Sequence, residues 1–153
     1  MIKDLNLEQI TQLLPHRQPM LLIEKISNIV PMVSAVGHIN VQSDKFFFDG
    51  HFPGQPVFPG VLVVEAFGQT AAALSAYCLK PEEVENKLVF LMTIDKARFR
   101  NPIVPPCELL LCVKVEKIKG RIWKYSGQAK VEGKIMSDAT WMATIADRQD
   151  DKQ

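Results

Sequence analysis

The residues best placed to do chemistry are a histidine in a loop rich in glycine and proline and a carboxylate set in an apolar run. His51 lies within Gly50-His51-Phe52-Pro53-Gly54, where glycine relaxes the backbone and proline restricts it. A loop held in that way can fix an imidazole, and a neutral imidazole accepts a proton at physiological pH. The alternative for a loop histidine is an ordinary surface position. Glu65 interrupts Val61, Leu62, Val63, Val64, Ala66 and Phe67. A carboxylate among such neighbours is costly to bury unless it is paired or takes part in a reaction; otherwise it faces water at a helix edge. Gln69, four residues on, falls on the same helical face and can hydrogen-bond Glu65.

Other candidates are weaker. His16, His38 and His51 lack the i, i+4 or short Cys/His spacing that gathers metal ligands locally, so no metal site is expected, and His16 and His38 are assigned structural roles. Cys107 and Cys112 lie five apart on a predicted strand and therefore point to opposite faces, which suits core thiols better than a chelating pair. Ser75 and Cys78 sit in the helix with no nucleophile elbow, phosphate loop or base at a diagnostic spacing.

The elements that must position His51 and Glu65 follow from periodicity and breakers. Asn6 is a candidate N-cap for a short helix to about Leu14, with Leu7, Ile10, Leu13 and Leu14 on one side and Pro15 ending it. Met20 to Ile29 and Met32 to Val41 read as strands. Asp49 to Gly60 holds three prolines and three glycines in twelve residues, so it forms a shaped loop. A long helix is predicted from Val61 to Leu79, stopped by Pro81. Strands follow at Leu88–Ile94, Ala97–Arg100, Cys107–Ile118, Arg121–Glu132 and Lys134–Ile145, with Gly120 and Gly133 at tight hairpin junctions. The pattern predicts an α+β fold, a curved antiparallel sheet wrapped around one long central helix. Residues 1–146 form a single domain on this reading, followed by a polar tail at 147–153.

Composition narrows the class of protein. The chain has 153 residues, 47% of them hydrophobic, enough to bury a core without disulfides or metal. Eighteen Lys and Arg against seventeen Asp and Glu give a formal charge of +1, which offers no electrostatic case for a nucleic-acid or membrane-surface protein. Three cysteines in apolar surroundings suit a reducing cytosol. The N-terminal Met-Ile-Lys-Asp-Leu-Asn lacks the pattern of a targeting segment, and the apolar run Val57 to Leu79 carries Glu65, Gln69 and a Pro59-Gly60 break. A cytoplasmic location is expected, with no membrane span.

Taken together, Gly50-His51-Phe52-Pro53-Gly54-Gln55-Pro56-Val57-Phe58-Pro59-Gly60-Val61-Leu62, Glu65-Ala66 and Gln69 resemble the hot-dog-fold dehydratases of fatty-acid synthesis, most closely the FabZ type of 3-hydroxyacyl-[acyl-carrier-protein] dehydratase. Leu14-Pro15-His16-Arg17, Thr93 to Arg100, Val104-Pro105 and Gly120-Arg121-Ile122-Trp123 agree at lower specificity. Gln18, Phe58, Gly68 and Pro106 depart from the usual pattern and bear on tunnel shape and loop geometry rather than on the reacting groups.

The resemblance implies dehydration of a (3R)-3-hydroxyacyl thioester to the trans-2-enoyl product in type II fatty acid biosynthesis, without metal or organic cofactor. It makes His51 the base for the C2 proton, the Gly60 amide the holder of the thioester carbonyl, and Glu65 an acid supplied by the other subunit. A homodimer follows, assembled further into a hexamer as a trimer of dimers in the family. Acyl carrier protein with its phosphopantetheine-linked substrate is the implied partner. Phe58, Phe67, Phe90 and Met92 are candidate walls of the acyl tunnel, with ordinary core packing as their alternative. Lys96, Arg98, Arg100, Lys119 and Arg121 are candidates for a basic rim that meets the acidic carrier, with a solvated strand face as theirs. Two competing functions remain: a hot-dog thioesterase or hydro-lyase acting on coenzyme A thioesters, and a non-catalytic acyl-thioester sensor.

Overall fold

The structure is a computed structural model that describes residues 3–147. Asn6 caps the first helix as expected. Its side-chain oxygen accepts the Gln9 N–H at 2.9 Å while the Gln9 side chain accepts the Asn6 N–H at 2.9 Å, so each satisfies a donor that the helix α1 (Leu7–Leu13) leaves free. Seven strands form one antiparallel sheet: β1 (Lys3–Leu5), β2 (Lys25–Val30), β3 (Ser34–Val41), β4 (Lys87–Phe99), β5 (Cys107–Lys119), β6 (Ile122–Val131) and β7 (Lys134–Asp147). Their spatial order is β1-β2-β3-β5-β6-β7-β4. The long helix α2 (Gly60–Cys78) packs against the inner face, and the single-turn α3 (Pro81–Val84) follows it.

Alternation along the strands decides which face meets the helix. Ala35, Ile39 and Val41 on β3, Leu109, Leu111 and Val113 on β5, Trp123, Tyr125 and Ala129 on β6, and Ala139, Trp141 and Ala143 on β7 are all buried. Two glycines let α2 sit close to the sheet. A Cβ at Gly37 would lie 2.2 Å from Thr70 Oγ1, and one at Gly127 would lie 2.8 Å from the Phe67 ring. The apolarity of α2, long enough to cross a bilayer by length and composition, is explained by this wrapping, because most of the helix is buried inside the fold.

The hairpin glycines behave as predicted: Gly120 (φ +62°) joins β5 to β6 and Gly133 (φ +79°) joins β6 to β7. Three expectations are corrected. β2 begins at Lys25 rather than Met20, because the backbone at Met20 and Leu22 bonds the Gln69 side chain of α2 instead of a neighbouring strand. The two short strands predicted between Leu88 and Arg100 are one strand, β4, which absorbs irregularities between Leu91 and Thr93 and between Ile94 and Lys96 as register shifts. β7 takes in Asp147, the first residue of the expected tail, and residues 148–153 lie outside the described residues.

Candidate active site

The loop before α2 builds its site from backbone hydrogen bonds. Phe52 and Gln55 exchange bonds of 3.0 and 2.9 Å around Gly54 (φ +74°), and the Val57 N–H returns to the His51 carbonyl at 2.9 Å. The half-buried His51 ring then bonds Val57 in the other direction, Nδ1 to the Val57 carbonyl at 2.7 Å. A carbonyl only accepts, so Nδ1 is the donor and carries the proton of the neutral ring. Nε2 is left with its lone pair. The Phe52 ring stacks on the imidazole with centroids 4.0 Å apart, which fixes the ring plane.

Gly60 borders the same cavity, of about 370 Å³, as His51. Pro59 occupies the N-cap of α2 and its carbonyl accepts from Leu62 and Val63. No acceptor among the described residues meets the amides of Gly60 or Val61. Both amides lie at the positive end of the helix, and that of Gly60, in the cavity of His51, is thus available to a developing oxyanion beside a proton acceptor. Phe99 lies over Gly60 so closely that an added Cβ would come within 2.8 Å of the ring. Since Phe99 is half exposed it can shift, so Gly60→Ala is expected to leave the melting temperature within a few degrees of the parent while lowering kcat/KM by about tenfold. Steady-state kinetics beside a thermal melt check both halves.

Glu65 does not border the His51 cavity. Five residues along a helix turn a side chain by about 140° relative to Gly60. The half-buried Glu65 instead borders a cavity of about 100 Å³ with His16, Gly68, Leu91, Tyr125 and Trp141. This cavity shares His16, Ala72 and Val89 with a smaller apolar one reaching Leu13, Leu14, Ala76 and Ile145. Tyr125 offers Glu65 no rival acid: its hydroxyl is bonded to Ser75 at 2.5 Å, and burial pushes its pKa up to about 12. That bond also places Ser75 in the core, in keeping with its dismissal as a nucleophile.

The remaining candidates are redistributed. Gln69, expected to support Glu65, turns its amide to the loop, accepting from Leu22 N–H at 2.9 Å and donating to the Met20 carbonyl at 2.7 Å; it anchors the approach to β2. Among the proposed tunnel walls, Phe67 is fully buried against Trp141 and belongs to the core. Phe58 packs on Phe47 and borders the His51 cavity, whereas Phe90 and Met92 are exposed on β4. The five basic residues do not form one rim within a protomer. Lys96 and Arg98 lie in the last four residues of β4 and Arg100 just past it, all three on one groove over the sheet; of the three, Arg100 also borders the cavity of Gly60, and it pairs with Asp138 at 2.6 Å. Lys119 and Arg121 lie at the β5–β6 hairpin, level with Phe90 through Ile122 and Thr144, roughly 25 Å along the sheet.

His38 joins Ser27 and Glu108 across three strands, with Nε2 to Ser27 Oγ 2.6 Å and Nδ1 to Glu108 Oε1 3.0 Å. The atoms match a serine-histidine-acid relay, yet Ser27 is buried in the sheet, and the neighbouring Asn28 N–H is taken by Asp4 at 3.2 Å. The trio clasps strands together, the structural role expected of His38. The three cysteines are free, and burial raises the pKa of each thiol, which keeps them poor nucleophiles.

Comparison with known proteins gives the family and the fold. The family model described as FabA-like domain matches residues 14–140. A 3-hydroxyacyl-[acyl-carrier-protein] dehydratase FabZ of Anaeromyxobacter sp. (strain K) is 47% identical over 145 residues, covering 95% of this chain and 93% of the relative. The FabZ of Paramagnetospirillum magneticum is 42% identical over 147 residues, covering 96% and 91%. The fold is shared with a chain of the dehydratase heterocomplex ApeI:P from Xenorhabdus doucetiae, with a TM-score of 0.76 at 17% identity over 90% of this chain and 91% of that one. The long helix wrapped by an antiparallel sheet is a hot-dog fold, and the chain belongs to the FabA-like family, alongside the 3-hydroxyacyl-[acyl-carrier-protein] dehydratases FabZ.

Proposed function

We propose that this protein converts (3R)-3-hydroxyacyl-[acyl-carrier-protein] to the trans-2-enoyl form in type II fatty acid biosynthesis, at a site that two copies of the chain complete. The observation that carries the reading is the Nε2 of His51 in one cavity with Gly60, whose amide has no partner among the described residues. Nε2 takes the C2 proton, and the Gly60 amide receives the charge that gathers on the thioester oxygen. The C3–O bond then breaks as Glu65 of the partner subunit donates a proton to the departing hydroxyl, which leaves as water. The thioester itself acidifies C2, so these groups suffice without a cofactor.

The edge strand β4 supports the second copy. Among the described residues its outer edge is unpaired, and Phe90, Leu91, Met92, Ile94 and Phe99 are all about half exposed along it. Leu91 borders the Glu65 cavity and Phe99 covers Gly60. Antiparallel pairing of two β4 edges about a two-fold axis sets the start of one strand against the end of the other. Each Glu65 cavity thereby approaches the partner subunit's His51 cavity. The acyl chain continues past His16 into the apolar cavity near Ala76, with Phe90 and Met92 at the mouth between subunits and Phe58 closing the His51 side. The pairing also turns Lys119 and Arg121 of one subunit toward the end of the sheet that carries Lys96, Arg98 and Arg100 of the other, where an acidic carrier protein docks. A trimer of such dimers and a cytoplasmic location complete the reading.

Carrier-bound 3-hydroxyacyl substrate is expected to gain enoyl absorbance with its thioester intact; release of free thiol would instead mean hydrolysis. Reversing the charge of Lys96 and Arg98, or of Lys119 and Arg121, should weaken turnover of the carrier-bound substrate and leave a coenzyme A thioester much less affected. Rising salt should reproduce that contrast. Equal losses on both substrates would assign these side chains to the fold or tunnel.

A further inference from the structure

The cavity beside Glu65 holds more polar chemistry than the proposed reaction uses. Trp141, which is 1% exposed, has an indole Nε1 with no hydrogen-bond partner, and the buried Nδ1 of His16 likewise has none. Among the described residues, the third such side-chain atom is Thr93 Oγ1 on β4. Two of the three therefore belong to residues that border the single cavity containing Glu65. A buried polar atom without a partner costs about 1–3 kcal/mol, and native structures rarely leave two around one small space without a group that serves both. At about 100 Å³ the cavity admits a water-sized group.

We propose that His16 and Trp141 are positioning residues for the oxygen that leaves C3, holding it against Glu65 before and after the C–O bond breaks. This rests on the dehydratase reading of the site. The indole N–H can only donate, so it directs a hydrogen bond at the C3 oxygen. A neutral His16 with its proton on Nε2 presents Nδ1 as an acceptor for the hydroxyl hydrogen. Glu65 supplies its proton to the same oxygen, the C3–O bond breaks with its electron pair going to oxygen, and a water molecule results. That water keeps the Trp141 N–H as donor and gives its two hydrogens to His16 Nδ1 and the Glu65 carboxylate. Three partners match the two to four that a buried water needs. His16 thereby moves from the structural role expected from sequence to one that holds the oxygen Glu65 protonates.

The test uses the intact enzyme with a short 3-hydroxyacyl thioester, and compares His16→Phe, His16→Asn and Trp141→Phe in the parent and in a Glu65→Gln background. His16→Phe and Trp141→Phe are expected to lower kcat about tenfold each with KM within about twofold, since the lost contact acts on the departing oxygen. His16→Asn, whose amide can replace Nδ1, should recover most of the turnover. In the Glu65→Gln background each loss should shrink to less than about twofold, because the proton they help to place is gone. Losses that stay tenfold in both backgrounds, or that fall on KM alone, would overturn the inference. If Trp141→Phe does not fold, the His16 pair decides. A strongly impaired Glu65→Gln beside normal His16→Phe and Trp141→Phe enzymes would sink this inference alone, whereas a normal Glu65→Gln enzyme would remove the site reading beneath it.

Discussion

Replacing His51 by Asn is expected to lower kcat by about 10²–10⁴-fold while the loop keeps its shape. The asparagine amide nitrogen can stand near the position of Nδ1 and still donate to the Val57 carbonyl, so the 2.7 Å bond that orients this segment has a replacement. Nothing replaces Nε2. The amide of Gly60 remains available to the thioester oxygen, so some rate above background should persist. Kinetics and a thermal melt on the same preparation separate the two effects. A large fall in stability would make His51 a loop anchor first, and turnover near the parent would remove it from the chemistry.

Glu65→Gln is expected to reduce turnover by about 10²-fold or more with substrate binding retained. The substitution keeps the side chain's size and its capacity to hydrogen-bond, but the amide cannot give up a proton at the departing oxygen. Because Glu65 is half buried and borders a small cavity, the loss should appear in kcat rather than in stability. Measuring kcat and the dissociation constant of a non-reactive thioester analogue checks the split. Unchanged kcat would leave Glu65 as a wall residue.

Much of the architecture was legible in the chain because it is written locally. Asn6 and Gln9 form a reciprocal cap within four residues, Gly120 and Gly133 mark hairpins, and the alternation of Ala139, Trp141 and Ala143 with Asp138, Thr140, Met142 and Thr144 shows which face of β7 is buried. The His51 loop was legible for a similar reason, since its glycines and prolines constrain one short segment. What escaped was set by partners distant in sequence. Met20 to Leu22 have strand composition, but Gln69, 49 residues from Met20, takes their hydrogen bonds. The helical spacing of Glu65 and Gln69 is real, yet the glutamine finds better partners in buried backbone than in a half-exposed carboxylate. Periodicity also cannot tell a tunnel aromatic from a core one, and Phe67 is fixed in the core by Gly127 and Trp141 across the sheet. The Glu65 cavity joins His16, Glu65 and Trp141 from a loop, a helix and a strand, a grouping that no spacing rule contains.

The central claim is that His51 of one chain works with Glu65 of another, and mixing two inactive variants tests it most directly. His51→Ala and Glu65→Ala homodimers should each be nearly inactive. In a hybrid dimer, one of the two sites combines the intact His51 of the Glu65→Ala chain with the intact Glu65 of the His51→Ala chain. With random exchange at equal concentrations, about half of the dimers are hybrids, each with one working site, so activity should recover to about a quarter of the parent's. Recovery near that level, appearing at the rate of subunit exchange, is the predicted result. Demonstrated exchange with no recovery would contradict the shared site and return both residues to separate roles within one protomer.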